Sequence, residues 1–358
     1  MRIETNSGKQ GIALIIVMIS IFVLAILAGG FAYSMKVETR LAANANNEAE
    51  LEWLGRSGVE YARWILAEQA KCGMEPFDAL NQTWAGGPGG ICASNGPLSE
   101  VQHEVSLGNG TFTWKITDLD RKINVNVASD QLLQQALIHM GADPGDYPPI
   151  VGSILDWIDP DDNTHVQGAE TEFYQSLTPP YEAKNGPIDD ISEMLMIKGI
   201  TPEIFWGTYS TNHPPGIVQQ RLSQGGPGNM PSVYTAGLAD LFTPISSGRV
   251  NVNTASFGVL QVLLNGDDVS AQNIIKMRSG PDGVDGTDDD LPLRNVGELV
   301  NAGLNYQAVQ QLSRYCDVRS RAFEVEVDAQ IAGYHRHFVG VVGRNNPRDV
   351  QVLNFYWK

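Results

Sequence analysis

The sequence predicts an α+β protein in which a long N-terminal helix packs on an antiparallel sheet and a large α-helical insertion interrupts that sheet. Three observations carry the prediction. From Ile12 to Met35 the chain is apolar and uncharged, and a helix-favouring run continues from Lys36 to about residue 70 without a stop. Polar and apolar residues alternate in the stretch Val101 to Thr117 and again after Cys316. Between these stretches, Asn-Val-Asn-Val-Ala-Ser (Asn124 to Ser129) is echoed by Asn-Val-Asn-Thr-Ala-Ser (Asn251 to Ser256), and each copy leads into a helical run.

Residues 12–35 form the first element. At a rise of ~1.5 Å per residue they extend ~36 Å, enough to cross a hydrocarbon core ~30 Å thick. Arg2 and Lys9 precede the segment, with Glu4 partly opposing them, which places the N-terminus in the cytoplasm and the bulk of the chain across the membrane. Over residues 36–70, Leu51, Leu54, Gly58, Tyr61 and Ile65 step by three and four onto one face, and Glu48, Glu52, Arg56 and Arg63 occupy the other. The membrane helix therefore continues as an amphipathic rod. Gly55 and Gly58 lie within it, where they permit either close packing or a bend.

Residues 71–122 supply the first part of the sheet. A Gly-rich loop around Trp84 leads to a hairpin centred on Gly108-Asn109-Gly110. Residues 123–316 form the helical insertion, with helices from Asp130 to Met140 and from Phe257 to Leu264, capped by Ser129 and Ser256. A second echo joins Ile191-Ser-Glu193-Met194-Leu195 to Val296-Gly-Glu298-Leu299-Val300. The stretch Gly225 to Pro244 reads as a loop between the two halves. Residues 317–358 close the sheet with three or four strands, beginning with Phe323, Val325 and Val327 in alternation with Glu324, Glu326 and Asp328.

A net charge of −17 argues against a nucleic-acid surface, which needs clustered Lys and Arg, and suits a soluble domain outside the cytoplasm or one that binds divalent cations. Of the cysteines, Cys72 and Cys92 flank the Gly-rich loop and are expected to pair in an oxidising periplasm, leaving Cys316 as a small buried side chain. No His-Glu-x-x-His, Gly-x-Ser-x-Gly or phosphate-binding loop appears, so no enzyme is expected.

Two acidic stretches are candidate calcium sites. The first runs from Asp156 to Asn163 and on to Glu170 and Glu172, with Asp159, Asp161, Asp162 and Glu170 as the expected ligands. The second runs from Gly280 to Asp290, with Asp282, Asp285, Asp288 and Asp290 as ligands. Carboxylates this dense repel one another unless a cation sits among them, and hard oxygen ligands on turns suit calcium. The first stretch is not an EF-hand, since the Gly after the acidic triad and the spaced final Glu are absent.

Gly11 followed by Ile12-Ala13-Leu14-Ile15-Ile16-Val17 resembles the leader junction of type IV pilins and type II secretion pseudopilins. The resemblance implies a leader at residues 1–11, cleavage after Gly11 by a prepilin peptidase and N-methylation of Ile12. Most members carry a glutamate at the fifth mature position, where this chain has Ile16. That departure, the interrupted sheet, the two Asn-Val-Asn copies and the Asp156-Trp157-x-Asp159-x-Asp161 run together resemble the K-type minor pseudopilin, the general secretion pathway protein K family. In physical terms, a buried carboxylate must be paired; a subunit with no neighbour above it meets no terminal amine, so losing the glutamate suits a tip position.

The resemblance implies a pilin-like fold and a place at the tip of the type II secretion pseudopilus, where the protein would initiate assembly. It also implies the I-type and J-type minor pseudopilins as partners, bound calcium, and a single-pass location in the inner membrane with the bulk in the periplasm. The alternatives are a minor subunit of a type IV pilus and a membrane-tethered DNA-uptake protein. The second arises because Arg249 to Arg278 looks like a helix-hairpin-helix module. Its hairpin, however, reads Asn265-Gly266-Asp267-Asp268, and two aspartates there repel phosphate.

Overall fold

The computed structural model describes residues 8–94, 96–208 and 234–358; residues 1–7 of the expected leader and the part of the expected 225–244 loop before Tyr234 lie outside the described residues. Helix α1 (Gly8–Lys71) is continuous and joins the apolar segment to the amphipathic one. Its 64 residues span about 96 Å at the α-helical rise. From Ile12 to Leu41 its large apolar side chains are all exposed, whereas Leu51, Leu54, Val59, Ala62, Ile65 and Leu66 are buried. Burial thus starts where the three-and-four spacing of apolar residues starts. Gly55 and Gly58 allow close packing rather than a bend: a Cβ at these positions would lie 2.4 Å from the Phe338 ring and 2.5 Å from a Val327 methyl.

The strands are β1 (Glu104–Leu107), β2 (Gly110–Asp118), β3 (Ile123–Asn124), β4 (Phe242–Thr243), β5 (Val250–Asn251), β6 (Cys316–Asp317), β7 (Ala322–Ile331), β8 (Tyr334–Asn346) and β9 (Asp349–Trp357). Strands β1, β2, β7, β8 and β9 form a five-stranded antiparallel sheet in that order, with Asp118 opposite Phe323 where β2 meets β7. The entire insertion therefore lies between two neighbouring strands. Phe323, Val325 and Val327 are buried against α1, as the alternation predicts. Cys72 and Cys92 are joined by a disulfide with their Cα atoms 6.1 Å apart, and Cys316 is a free, buried cysteine.

The insertion has its own core, from Ile123 to Val318. It consists of two modules with one plan. The first contains β3, α2 (Asp130–Met140), α3 (Tyr147–Ile158), a 3-10 turn at Ile191–Met196, short helices at Pro202–Trp206 and Leu238–Leu241, and β4. The second contains β5, α4 (Phe257–Leu263), α5 (Asp268–Arg278), a 3-10 turn at Val296–Ala302, α6 (Tyr306–Leu312) and β6. In each module the first and last strands pair in parallel, Ile123 with Phe242 and Val250 with Cys316. The C-terminal end of the 225–244 stretch is thus ordered: Leu238–Leu241 is helical and Phe242–Thr243 is a strand, because Phe242 closes the first module.

The repeated motif explains the shared plan. Asn126 donates to the Ile188 carbonyl and accepts from the Ile188 N–H; Asn253 does the same at Leu293. The preceding asparagines, Asn124 and Asn251, each accept the N–H two residues on. Ser129 and Ser256 cap α2 and α4. Each Asn therefore ties the start of its module to the approach of its 3-10 turn.

Candidate cation site in the first module

The first acidic stretch follows α3, whose last turn carries Asp156 and whose C-cap is Asp159. Three residues apart, these two lie on one face of the helix end. The loop then folds back so that His165 and Glu170 approach them. His165 Nδ1 lies 2.6 Å from Asp156 Oδ1 and 3.5 Å from Asp159 Oδ2, and the His165 backbone N–H donates to Asp156 Oδ1. The return is tight: a Cβ on Gly168 would lie 2.0 Å from Asp156 Oδ2, so only glycine fits there.

Asp156 is fully buried and Glu170 is 5% exposed. Asp156 Oδ2, Asp159 Oδ1 and both Glu170 carboxylate oxygens are buried without a hydrogen-bond partner. A buried unpaired carboxylate is costly. The electrostatics agree. Burial, and then the charges of Asp156 and Asp159, push the Glu170 pKa up to about 7. Burial and then Asp161 raise that of Asp159. The hydrogen bond that His165 donates to Asp156 raises the pKa of His165. A divalent cation coordinated by oxygen would satisfy the orphaned atoms and relieve the repulsion, so this donor set fits calcium.

The expected ligands divide. Asp159 lies with Asp156 and His165, their ligand atoms within 4.8 Å of one another, and Glu170 is coupled to Asp156 and Asp159 by charge. Asp161 caps the turn by accepting from the Asn163 backbone and side chain, and Asp162 accepts from Asn185 Nδ2. Sequence reasoning left out Asp156 and His165; the helical spacing of Asp156 and Asp159 was the available signal for the first. Trp157 belongs to the core, edge-on to Tyr174 with ring centroids 5.3 Å apart.

The second acidic stretch is differently arranged. Both oxygens of Asp285 receive Arg278, from Nε at 3.0 Å and Nη2 at 2.6 Å. Asp282 accepts from the Val284 N–H, Asp289 from the Asp282 N–H and the Thr287 hydroxyl, and Asp290 from the Gly286 N–H. Arg278, Thr287 and backbone N–H groups thus take up the charges of Asp282, Asp285, Asp289 and Asp290, and Asp288 faces solvent.

Between α4 and α5 the hairpin turns on Asn265 and Gly266, both at positive φ. Asp267 caps α5 through the Ser270 N–H, and Asp268 accepts from Gln261. The turn therefore presents carboxylates.

Residues 114–206 match the family model described as type II secretion system (T2SS), protein K. A protein of Escherichia coli K12 named as a protein K of that system is 28% identical over 213 residues, 56% of this chain. The type II secretion system protein K of Pseudomonas aeruginosa is 25% identical over 287 residues, 79% of this chain. The matched region spans 61% of the length of the first relative and 76% of the second. Among solved structures, a chain of the GspK-GspI-GspJ complex from the type 2 secretion system of enterotoxigenic Escherichia coli matches with a TM-score of 0.62. The match covers 88% of this chain and 99% of that one at 18% identity, a likeness of fold. The resemblance to protein K read from the sequence is thus supported by sequence and fold, and the pilin-like α+β architecture is shared.

Proposed function

Starting from the likeness to type II secretion system protein K, we propose that this chain is the minor pseudopilin at the tip of the type II secretion pseudopilus. There it initiates assembly for protein export across the outer membrane. One observation carries the reading. The insertion is mounted at the end of α1 opposite the exposed apolar segment, since Arg344 joins the Leu66 carbonyl to Asp78 at the base of the insertion. A rod that bundles with its neighbours through residues 12–35 therefore ends in a bulky cap, which blocks addition of a subunit above it.

The apolar segment anchors the chain once in the inner membrane, with the bulk in the periplasm, where the Cys72–Cys92 disulfide is chemically at home. The prepilin peptidase cuts after Gly11 and Ile12 is methylated. Ile16 offers no carboxylate to an amine above it, as suits a topmost subunit. The I-type and J-type minor pseudopilins are the partners, a reading supported by the composition of the solved complex of similar fold. Burial of apolar helix surface, at about 25 cal/mol per Å², drives the bundle.

The role is structural rather than catalytic, and the aspartates of the hairpin oppose nucleic acid. Calcium is held in the first module by Asp156, Asp159 and Glu170, with Asp161 and Asp162 at its rim, and it stiffens a loop that otherwise repels itself.

The test is N-terminal mass spectrometry of the membrane-extracted chain, combined with co-purification of I-type and J-type subunits. A methylated Ile12 terminus and a stable complex are expected. An intact Met1, a start beyond Gly30, or the absence of either partner would overturn the assignment.

A further inference from the structure

The sheet and the insertion meet through a polar junction. Asp78, Asp118 and Asp120 are buried there, at 2%, 2% and 0% exposure. One buried cation faces them, Arg344 of β8. The other nearby cations are engaged elsewhere: Lys122 donates to the Ala239 carbonyl, and the Arg321 side chain is exposed.

The three acids are held differently. Asp78 takes the Arg344 guanidinium and the Ser320 N–H. Asp120 takes the backbone N–H groups of Ser247, Arg321 and Ala322. Asp118 Oδ1 accepts one backbone N–H, that of Asp120. Its Oδ2 meets the hydroxyls of Thr254 and Ser320, each at 2.5 Å, and the Asn251 amide at 3.3 Å.

Three carboxylates against one guanidinium leave uncompensated negative charge in a site closed to water, which is strongly disfavoured. Asp118 is the group able to take up a proton. Its hydroxyl partners accept as readily as they donate. Thr254 has a second acceptor, the Asn251 carbonyl at 3.4 Å, so its hydroxyl can turn away and receive a proton from Oδ2. Asp78 meets only donors, a guanidinium and a backbone N–H, and Asp120 is held by three backbone N–H groups besides the Ser247 hydroxyl, whereas Asp118 has one backbone N–H.

We propose that Asp118 is held as the neutral acid in the closed junction, making the grip of the insertion on the sheet a proton-dependent clasp. It ties together the segment after α1, the ends of β2 and β8, the turn after β5 and the link into β7. Burial first, then the charges of Asp120 and Asp78, raise the Asp118 pKa from 3.8 to about 7 against the pull of the two hydroxyls. The folded chain therefore keeps a proton that the unfolded chain has released. The contribution is complete below about pH 4, declines as pH rises, and is gone above about pH 7.

The test is thermal melting of the full chain in detergent with saturating calcium, from pH 5 to 8.5, for the wild type and Asp118→Asn. The Tm of the wild type should fall relative to that of the variant up to about pH 7, with the difference level above it. A difference independent of pH would overturn the clasp. Should the variant not fold, NMR of wild-type protein carrying carbon-13 aspartate decides. An aspartate carboxyl titrating near pH 7 supports the proposal, and completion of all aspartate titrations by pH 5 refutes it.

Discussion

The two modules of the insertion share a framework and differ in the loop after their second helix. In both, an Asn-Val-Asn motif clamps a distant backbone segment, a serine caps the first helix and a parallel strand pair closes the unit. In the first module the loop buries carboxylate oxygens that have no partner. In the second, backbone N–H groups, Thr287 and Arg278 take up the charges of Asp282, Asp285, Asp289 and Asp290. The two stretches look alike as sequence because both are dense in aspartate. The difference teaches that acid density alone does not mark a candidate cation site; unfilled oxygen valence inside a closed loop is the more specific signal.

The sharpest break in this comparison is Arg278→Ala. Arg278 is buried and also donates to the carbonyls of Val252 and Ala255, each at 2.8 Å. Removing it strands Asp285 and two carbonyls, a loss of about 3–5 kcal/mol, which urea unfolding will register. The corresponding lever in the first module is the ion. Calcium at about 100 times its Kd should raise stability by about 2.7 kcal/mol over chelated protein. Glu170→Gln should abolish that gain and Asp288→Asn should leave it intact; a gain lost only in Asp288→Asn would place the ion in the second loop.

Acidity sharpens the same contrast. In chelated protein the raised Glu170 pKa means that its stabilising contribution is complete below about pH 4.5 and lost as pH rises to about 7. Saturating calcium should flatten that slope, because the ion holds the carboxylate charged. Parallel pH–melting series with and without calcium check this. The smallest effect tests the shared framework. Asn126→Ala and Asn253→Ala should each cost about 1–3 kcal/mol, by leaving a backbone N–H and carbonyl unsatisfied. Strongly unequal losses would mean that the modules do not use the motif alike.

Much of the fold was legible in the sequence because it depends on local periodicity. The charge-free run and the three-and-four stripe marked α1 to within a residue of its end. Alternation marked β2 and β7, and Ser129 and Ser256 marked two helix starts. The strand at Phe242–Thr243 was missed because its pairing partner, Ile123, is far away in sequence. Half of the candidate cation site was missed for a related reason. Asp159 and Glu170 stand out as acids in a turn, but Asp156 sits in an apolar helix and is recruited only when the loop returns over it.

By itself the sequence determined that an uncharged helical rod leads into a sheet split by a duplicated helical unit, because hydrophobic spacing and capping act within a few residues. Only the tertiary structure decided which carboxylates lose water without gaining a donor. It alone showed Glu170 left open, Asp285 spent on Arg278, and Asp118 enclosed between the two cores. Desolvation is set by what packs around a group, and the groups that surround these acids come from segments far apart along the chain.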